Sequence, residues 1–439
     1  MSNSDRRVVI TGMGLISPLG HSCGELWNSL DNGISGVKQL SAIPTDHFPS
    51  DFGGECAEFA GEIGNFGTLE KKLQRSIKKA LRLMCREIQL GVAAAQLAIA
   101  DAGLATCDIA PERIGTLFGS DYIITSPLDF SQSIQNCIEP DGEFNFESWA
   151  ENGIPKVEPL WLLKYLPNMP ASHVAIFNDL RGPSNSLTVR EASANLSLAE
   201  ATTIIQRGSA DVMVAGSTGS RIHPLRTVHI ALQEQLADKN TEAAGGDPTR
   251  ACRPFDADRS GMVLGEGAGV MILEELASAE KRGANILGEV IGYGSSSVAN
   301  KQGVGDYKKA FTNVIQGALE TSGLPVSEVG HYHAHGLSSP KGDREEAAAI
   351  KDTLGETPVT AAKSYMGNLG GGSGVVEAIS SLLAMENNSL FPILNCDNLD
   401  DQCQISAVRE KGTSPGDSFI SANITPQGQA SSIAIRKFT

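Results

Sequence analysis

The histidines at 331, 333 and 335 are the first residues whose spacing suggests chemistry. His331-Tyr332-His333-Ala334-His335-Gly336 alternates three imidazoles, and alternation on a strand would place them on one face. Such a face invites a metal, yet His335 is the last histidine in the chain and no nearby cysteine completes a ligand set. No metal site is expected. A second segment, Lys363 to Gly374 (KSYMGNLGGGSG), is a glycine-rich loop led by a lysine, suited to an anion or a thioester but specific to neither. A third, Gly265-Glu266-Gly267-Ala268-Gly269, lies between Phe255-Asp256-Ala257-Asp258-Arg259 and the apolar run Val270 to Leu273. Its glycines permit close backbone packing. The spacing is not GxGxxG and no helical pattern follows, which argues against a nucleotide site.

These residues need a scaffold, and the pattern of the chain supplies one. Short apolar runs alternate with amphipathic stretches, the signature of an α/β fold. Strands are expected at Val8-Val9-Ile10, Ile114 to Phe118, Val212 to Ala215 and Val270 to Leu273, and helices at 70–102, 345–355 and 375–385. The stretch from about 122 to 160 is polar, acidic and irregular, and reads as a surface excursion covering a pocket or a dimer seam. Trp149 and Trp161 are expected to pack it. A second loop, Asp238 to Thr249, is rich in Gly, Ala and charge. No low-complexity linker and no short-period repeat divides the chain.

Composition narrows the class further. The chain has 439 residues and a net charge of -16, which disfavours nucleic acid and anionic membrane as main partners. No window approaches the ~18 consecutive apolar residues of a membrane span, and the N-terminus lacks the apolar core of a signal peptide. A cytoplasmic protein is expected. The eight cysteines are scattered with no CxxC pair, so neither a zinc site nor a disulfide framework is expected. Against the acidic background stands one basic run, Lys71, Lys72, Arg75, Lys78, Lys79, Arg82 and Arg86. It reads either as a solvated helix face or as a docking patch for an acidic protein.

Taken in order, the segments resemble one family over nearly the whole chain. RRVVITGMGLISPLG with Trp27 and Gly33-Ile34-Ser35-Gly36 resembles the opening of β-ketoacyl-acyl-carrier-protein synthases. So do Asn168-Met169-Pro170-Ala171, Arg181-Gly182-Pro183, Arg253-Pro254-Phe255-Asp256 with Gly265 to Gly269, and Ala334-His335-Gly336 with Pro340, Gly342-Asp343 and Glu346. Lys363-Ser364 resembles the start of that family's lysine loop. The resemblance implies a thiolase fold, two similar halves in a five-layered αβαβα core, here divided into 1–255 and 256–439, with dimerisation through the first half. It also implies an acyl carrier protein as partner and no cofactor. In such enzymes a cysteine at a strand-to-helix elbow takes the acyl chain, because a thiolate is both a good nucleophile and a good leaving group. Two histidines then hold the malonyl thioester oxygen.

The sequence departs from that pattern at its reactive positions. The nucleophile position falls on Glu191, and no cysteine lies between Cys137 and Cys252 to replace it. The second histidine position, five residues after Lys363, is Asn368. The gate expected near the C-terminus reads Asn423-Ile424-Thr425-Pro426-Gln427-Gly428. Of the reactive set, His335 and Lys363 survive. Transfer of an acyl group from a thioester to a carboxylate would give an anhydride, which is uphill and easily hydrolysed. Glu191 is therefore expected to pair with Lys363 or His335 and seal the old acyl site, while both survivors could equally be structural. Four roles are open. They are a non-elongating partner of an active ketosynthase, like a chain-length factor; a malonyl-carrier-protein decarboxylase in which Asn368 and His335 hold the thioester oxygen; an acyl-binding or scaffold homodimer; and an active synthase.

Overall fold

The computed structural model describes residues 6–239 and 246–438, so the centre of the 238–249 loop lies outside the described residues. The first half contains β1 (Val8–Ile16), the short pair β2 (Lys38–Gln39) and β3 (Phe52–Gly54), then β4 (Ile114–Ser120), β5 (Ser184–Thr188), β6 (Val212–Ser220) and β7 (Leu264–Glu275). The second contains β8 (Gly288–Ser297), β9 (His331–His333), β10 (Pro358–Thr360), β11 (Ser406–Ala407), β12 (Ser418–Ile424) and β13 (Gln429–Arg436). All four expected strands are present. Most of β1, β4, β6 and β7 is buried on both faces, which is why these strands read as continuous apolar or small-residue runs.

The strand order is β5-β4-β6-β7-β1 in one half and β10-β9-β12-β13-β8 in the other, where the two-residue β11 adds an extra edge beside β10 and is left out of the comparison. Each is the same arrangement when strands are counted along the chain, so the two halves repeat one topology that no short sequence period betrays. The resulting core has the duplicated, layered arrangement that the resemblance implies. Two central helices, Ser193–Gln206 and Ser373–Glu386, lie between the sheets and are buried along nearly their whole length. Outer helices Arg86–Asp101 and Tyr307–Ser322 cover the far faces. The sheets also join edge to edge, because Val8, Val9 and Ile10 pair with β7 on one side and β8 on the other.

The helix expected over 70–102 is two helices. Lys71–Ala80 is mostly exposed and basic, a 3-10 turn follows at Leu81–Leu83, Met84 is extended, and the buried, alanine-rich helix begins at Arg86. The break turns Arg86 inward, where its guanidinium pairs with Glu266 at 2.7 Å and donates to the Cys56 carbonyl at 2.7 Å. The helix expected at 345–355 starts earlier, at Pro340, where Ser339 accepts from the Gly342 N–H as N-cap. The excursion at 122–160 is irregular as expected, interrupted by short helical turns at 127–135 and 149–156, with Trp161 edge-on to Phe130 and Trp149 against Phe144.

Candidate functional site

The site is built where the two central helices begin. β5 ends at Thr188, and Arg190 turns the chain with φ of 51°, a left-handed conformation uncommon for a side chain of its size. Glu191 follows in a single 3-10 turn and is 1% exposed. Its Oε1 pairs with the Arg221 guanidinium and accepts from Asn368 Nδ2 at 3.2 Å. Its Oε2 lies 3.5 Å from Arg190 Nε and accepts no hydrogen bond. Arg221, at the end of β6, reaches on to Glu234 at 3.2 Å, which Arg190 also binds. Asp121 sits 3.9 Å from both Arg190 and Arg226, and Arg226 pairs with Glu87. One buried network of carboxylates and guanidiniums thus runs inward from the elbow.

The second half presents the facing residues. His335 follows β9, and Lys363 opens a short helix at Lys363–Met366. Lys363 Nζ donates to His335 Nδ1 at 3.2 Å and pairs with Glu377. Asn423 Nδ2 donates to the same His335 nitrogen at 3.2 Å and to Glu377 at 2.8 Å. Two donors aimed at Nδ1 require it to be the acceptor, so the ring proton resides on Nε2. Burial, reinforced by the Lys363 and Arg221 charges, holds His335 well below the ordinary histidine range, and the ring is neutral. Its Nε2–H has no hydrogen-bond partner among the described residues.

Asn368 is spoken for at every polar atom. Nδ2 donates to Glu191 and to Met262 Sδ at 3.0 Å, and Oδ1 accepts from the Gly370 N–H at 3.1 Å and from Ser373 at 3.2 Å. The glycines after it serve contact. A side chain on Gly370, whose φ is +61°, would start 3.4 Å from Arg221 Nε, and one on Gly374 would strike Asn423 and lie 2.7 Å from Ala194 Cβ.

The structure thus joins the four residues singled out from the sequence as two pairs, Glu191 with Asn368 and His335 with Lys363, and not with the expected pairing. Glu191 takes its cation from Arg221 rather than from Lys363 or His335. The reason is topological: β6 runs beside β4 and delivers Arg221 to the elbow, whereas Lys363 is neutralised by Glu377 on the opposing helix. Nor is Asn368 available to hold a thioester oxygen. The three alternating histidines do not share a task either. His331 and His333 both bond Ser381 Oγ, at 2.9 and 2.8 Å, and are buried in the core, while His335 lies beyond the strand end. Among the described residues no group of three His, Cys, Asp or Glu side chains could hold a metal ion.

Comparison with known families settles the lineage. The β-ketoacyl synthase N-terminal domain matches residues 5–279 and the β-ketoacyl synthase C-terminal domain matches residues 287–397. The chain belongs to the β-ketoacyl synthase family. It is 30% identical over 411 residues to 3-oxoacyl-[acyl-carrier-protein] synthase 2 of Staphylococcus aureus strain N315, covering 92% of each chain. The synthase 2 of Synechocystis is 32% identical over 415 residues, covering 93% of this chain and 92% of its own. A β-ketoacyl synthase from Burkholderia phymatum superposes with a TM-score of 0.83 at 27% identity, covering 99% of this chain and all of its own (100%). The ishigamide ketosynthase/chain length factor superposes at 0.80 with 24% identity, covering 99% and 100%, and shares the fold.

Against that family, three residues that complete the site escaped the sequence reading. Arg221 follows β6 with nothing local to mark it. Glu377 had a signal: it is the only charge in SGVVEAISSLLAM, an otherwise apolar or small-residue helix whose burial forces a charge to find a partner. Asn423 was noted as part of the altered gate, not as a ligand of His335. No helix of the described residues is long and apolar enough to cross a membrane.

Proposed function

We propose that this chain is a non-elongating β-ketoacyl synthase homologue that acts as a chain-length-factor-like partner of an active ketosynthase in fatty acid or polyketide synthesis. The observation that carries the reading is Glu191, buried at the nucleophile elbow and paired with Arg221. A carboxylate whose charge is already compensated by a guanidinium has little drive to attack a thioester, and its product would be an unstable anhydride. The fold on either side is kept intact, as a partner subunit requires.

Two surfaces support the role. Lys71, Lys72, Arg75, Lys78, Lys79 and Arg82 are exposed on or just after one helix and make no ion pair among the described residues, which suits an acidic acyl carrier protein. The excursion carries exposed Leu128, Phe146, Ile154, Leu160 and Leu162, an apolar surface that suits a subunit interface. In this reading the chain passes from the first half to the second between β7 and β8, later than the 255/256 division, and the cytoplasm is the compartment that fits.

A decarboxylase is the second reading, and the unpartnered His335 Nε2–H favours it, since that donor could hold a malonyl thioester oxygen. It would act alone, because Asn368 is engaged. One measurement separates the two: mass spectrometry of the chain with malonyl- and acyl-carrier protein, alone and beside an active ketosynthase. The expected result is no acyl adduct and no carbon dioxide from the chain alone, with product formed or changed in length only beside the partner. Carbon dioxide release by the chain alone, abolished in His335→Ala, would establish the decarboxylase instead.

A further inference from the structure

The exclusion of acyl groups from this chain has a second cause besides the missing thiol. The interior beyond residue 191 is filled with charge. From Glu191 the network passes through Arg221, Glu234, Arg190, Asp121 and Arg226 to Glu87, and the side chains of all seven are buried or nearly so. Arg221 occupies the position closest to the elbow. It is 1% exposed, and it bridges Glu191 and Glu234. Beside the far end of the network lies a cavity of about 210 Å³ lined by Arg226 and Glu87 together with Ile123, Ile124, Ile222 and Tyr165 among others.

We infer that Arg221 is an independent lock, so that a nucleophile restored at position 191 would still refuse an aliphatic chain. The physical ground is desolvation. With residue 191 made a nucleophile, an alkyl group passing it toward the interior must displace the Arg221 guanidinium from its remaining carboxylate, Glu234, without offering any polar replacement. A small polar group beside the Glu191 carboxylate position makes no such demand. This inference rests on the reading of 191 as a former nucleophile position, but a different result tests it.

The test uses the full-length chain with Glu191→Cys alone and with Glu191→Cys/Arg221→Met. Met fills the space without a charge, and Glu234 keeps Arg190 as its partner in both variants. Each is treated with N-ethylmaleimide and with N-octylmaleimide, and the adduct at residue 191 is followed by peptide mass spectrometry. The thiolate adds across the maleimide double bond and the ring carbon takes a proton from water, with no leaving group. The single variant is expected to react with the octyl reagent about tenfold or more slowly than with the ethyl reagent. The double variant should bring the two rates within about twofold of each other. Matching melting temperatures would show that both variants are folded. Equal rates in the single variant would overturn the lock, as would a site that takes neither reagent in either variant, because something other than Arg221 would then close it. An acyl adduct on the unaltered chain would instead remove the reading beneath it.

Discussion

At Glu191 the pairing with Arg221 that underlies the proposed loss of chemistry also bears on stability. A buried guanidinium-carboxylate pair is costly to break from one side, because the remaining charge has no water to turn to. Glu191→Leu is therefore expected to lower stability by about 3 kcal/mol or more, read from urea denaturation midpoints. Glu191→Leu/Arg221→Met should recover most of that loss, since removing both charges leaves neither orphaned; a double variant no more stable than the single would contradict the pairing. Deeper in the same network, burial pushes the Glu87 carboxyl up to about 7, against the lowering effect of Arg226. The folded chain then holds a proton that the unfolded chain has released between the ordinary value of 4.5 and about 7. Glu87's share of stability is accordingly present below 4.5 and lost as pH rises through 7. Glu87→Gln should flatten that part of the stability-pH curve; an unchanged slope would show that Glu87 does not titrate there. Glu191, His335, Lys363 and Asn368 were legible because motif positions are fixed by spacing along the chain. Arg221 was not, because its role depends on which strand lies beside β4, and no local pattern reports that.

Among the elements, the two central helices decide how closely the halves approach. The helix at Ser373–Glu386 starts with Gly374 pressed against Ala194 of the other central helix and against Asn423. Gly374→Ala should push these apart, costing about 1–3 kcal/mol of stability and loosening the Asn423 contact to His335. Circular dichroism melts would show the first effect, and the His335 ring resonances in NMR spectra the second. Tolerance of alanine with unchanged spectra would mean that the helices are not in contact there. The sequence located most of these elements because burial on both faces writes a plain apolar run. It missed the break before Arg86, since a helix pattern continues across a turn whose cause is a carboxylate 180 residues away, Glu266.

For the molecule as a whole, the exposed apolar side chains gather on the excursion, where Leu128 and Phe146 are each 78% exposed. Subunit association through this region predicts that Leu128→Asp/Phe146→Asp weakens dimer formation, measured by sedimentation, while leaving the melting of the isolated chain nearly unchanged. An unaltered dimer would move the interface elsewhere. The edge strand β5 is only partly covered in the single chain, and if a partner subunit covers it, its backbone groups should become protected from hydrogen exchange on association.

The pairing of β1 has a consequence for how this protein is made. Val8 is hydrogen-bonded into a ladder with Glu275 on one side and Val290 on the other. During synthesis, β1 must therefore wait for well over half of the chain before either neighbour exists. Contacts so distant in sequence close slowly, and an apolar strand left waiting is prone to the wrong partner. Yield in a cell should then depend on chaperone supply and on translation speed more than on the stability of the finished fold.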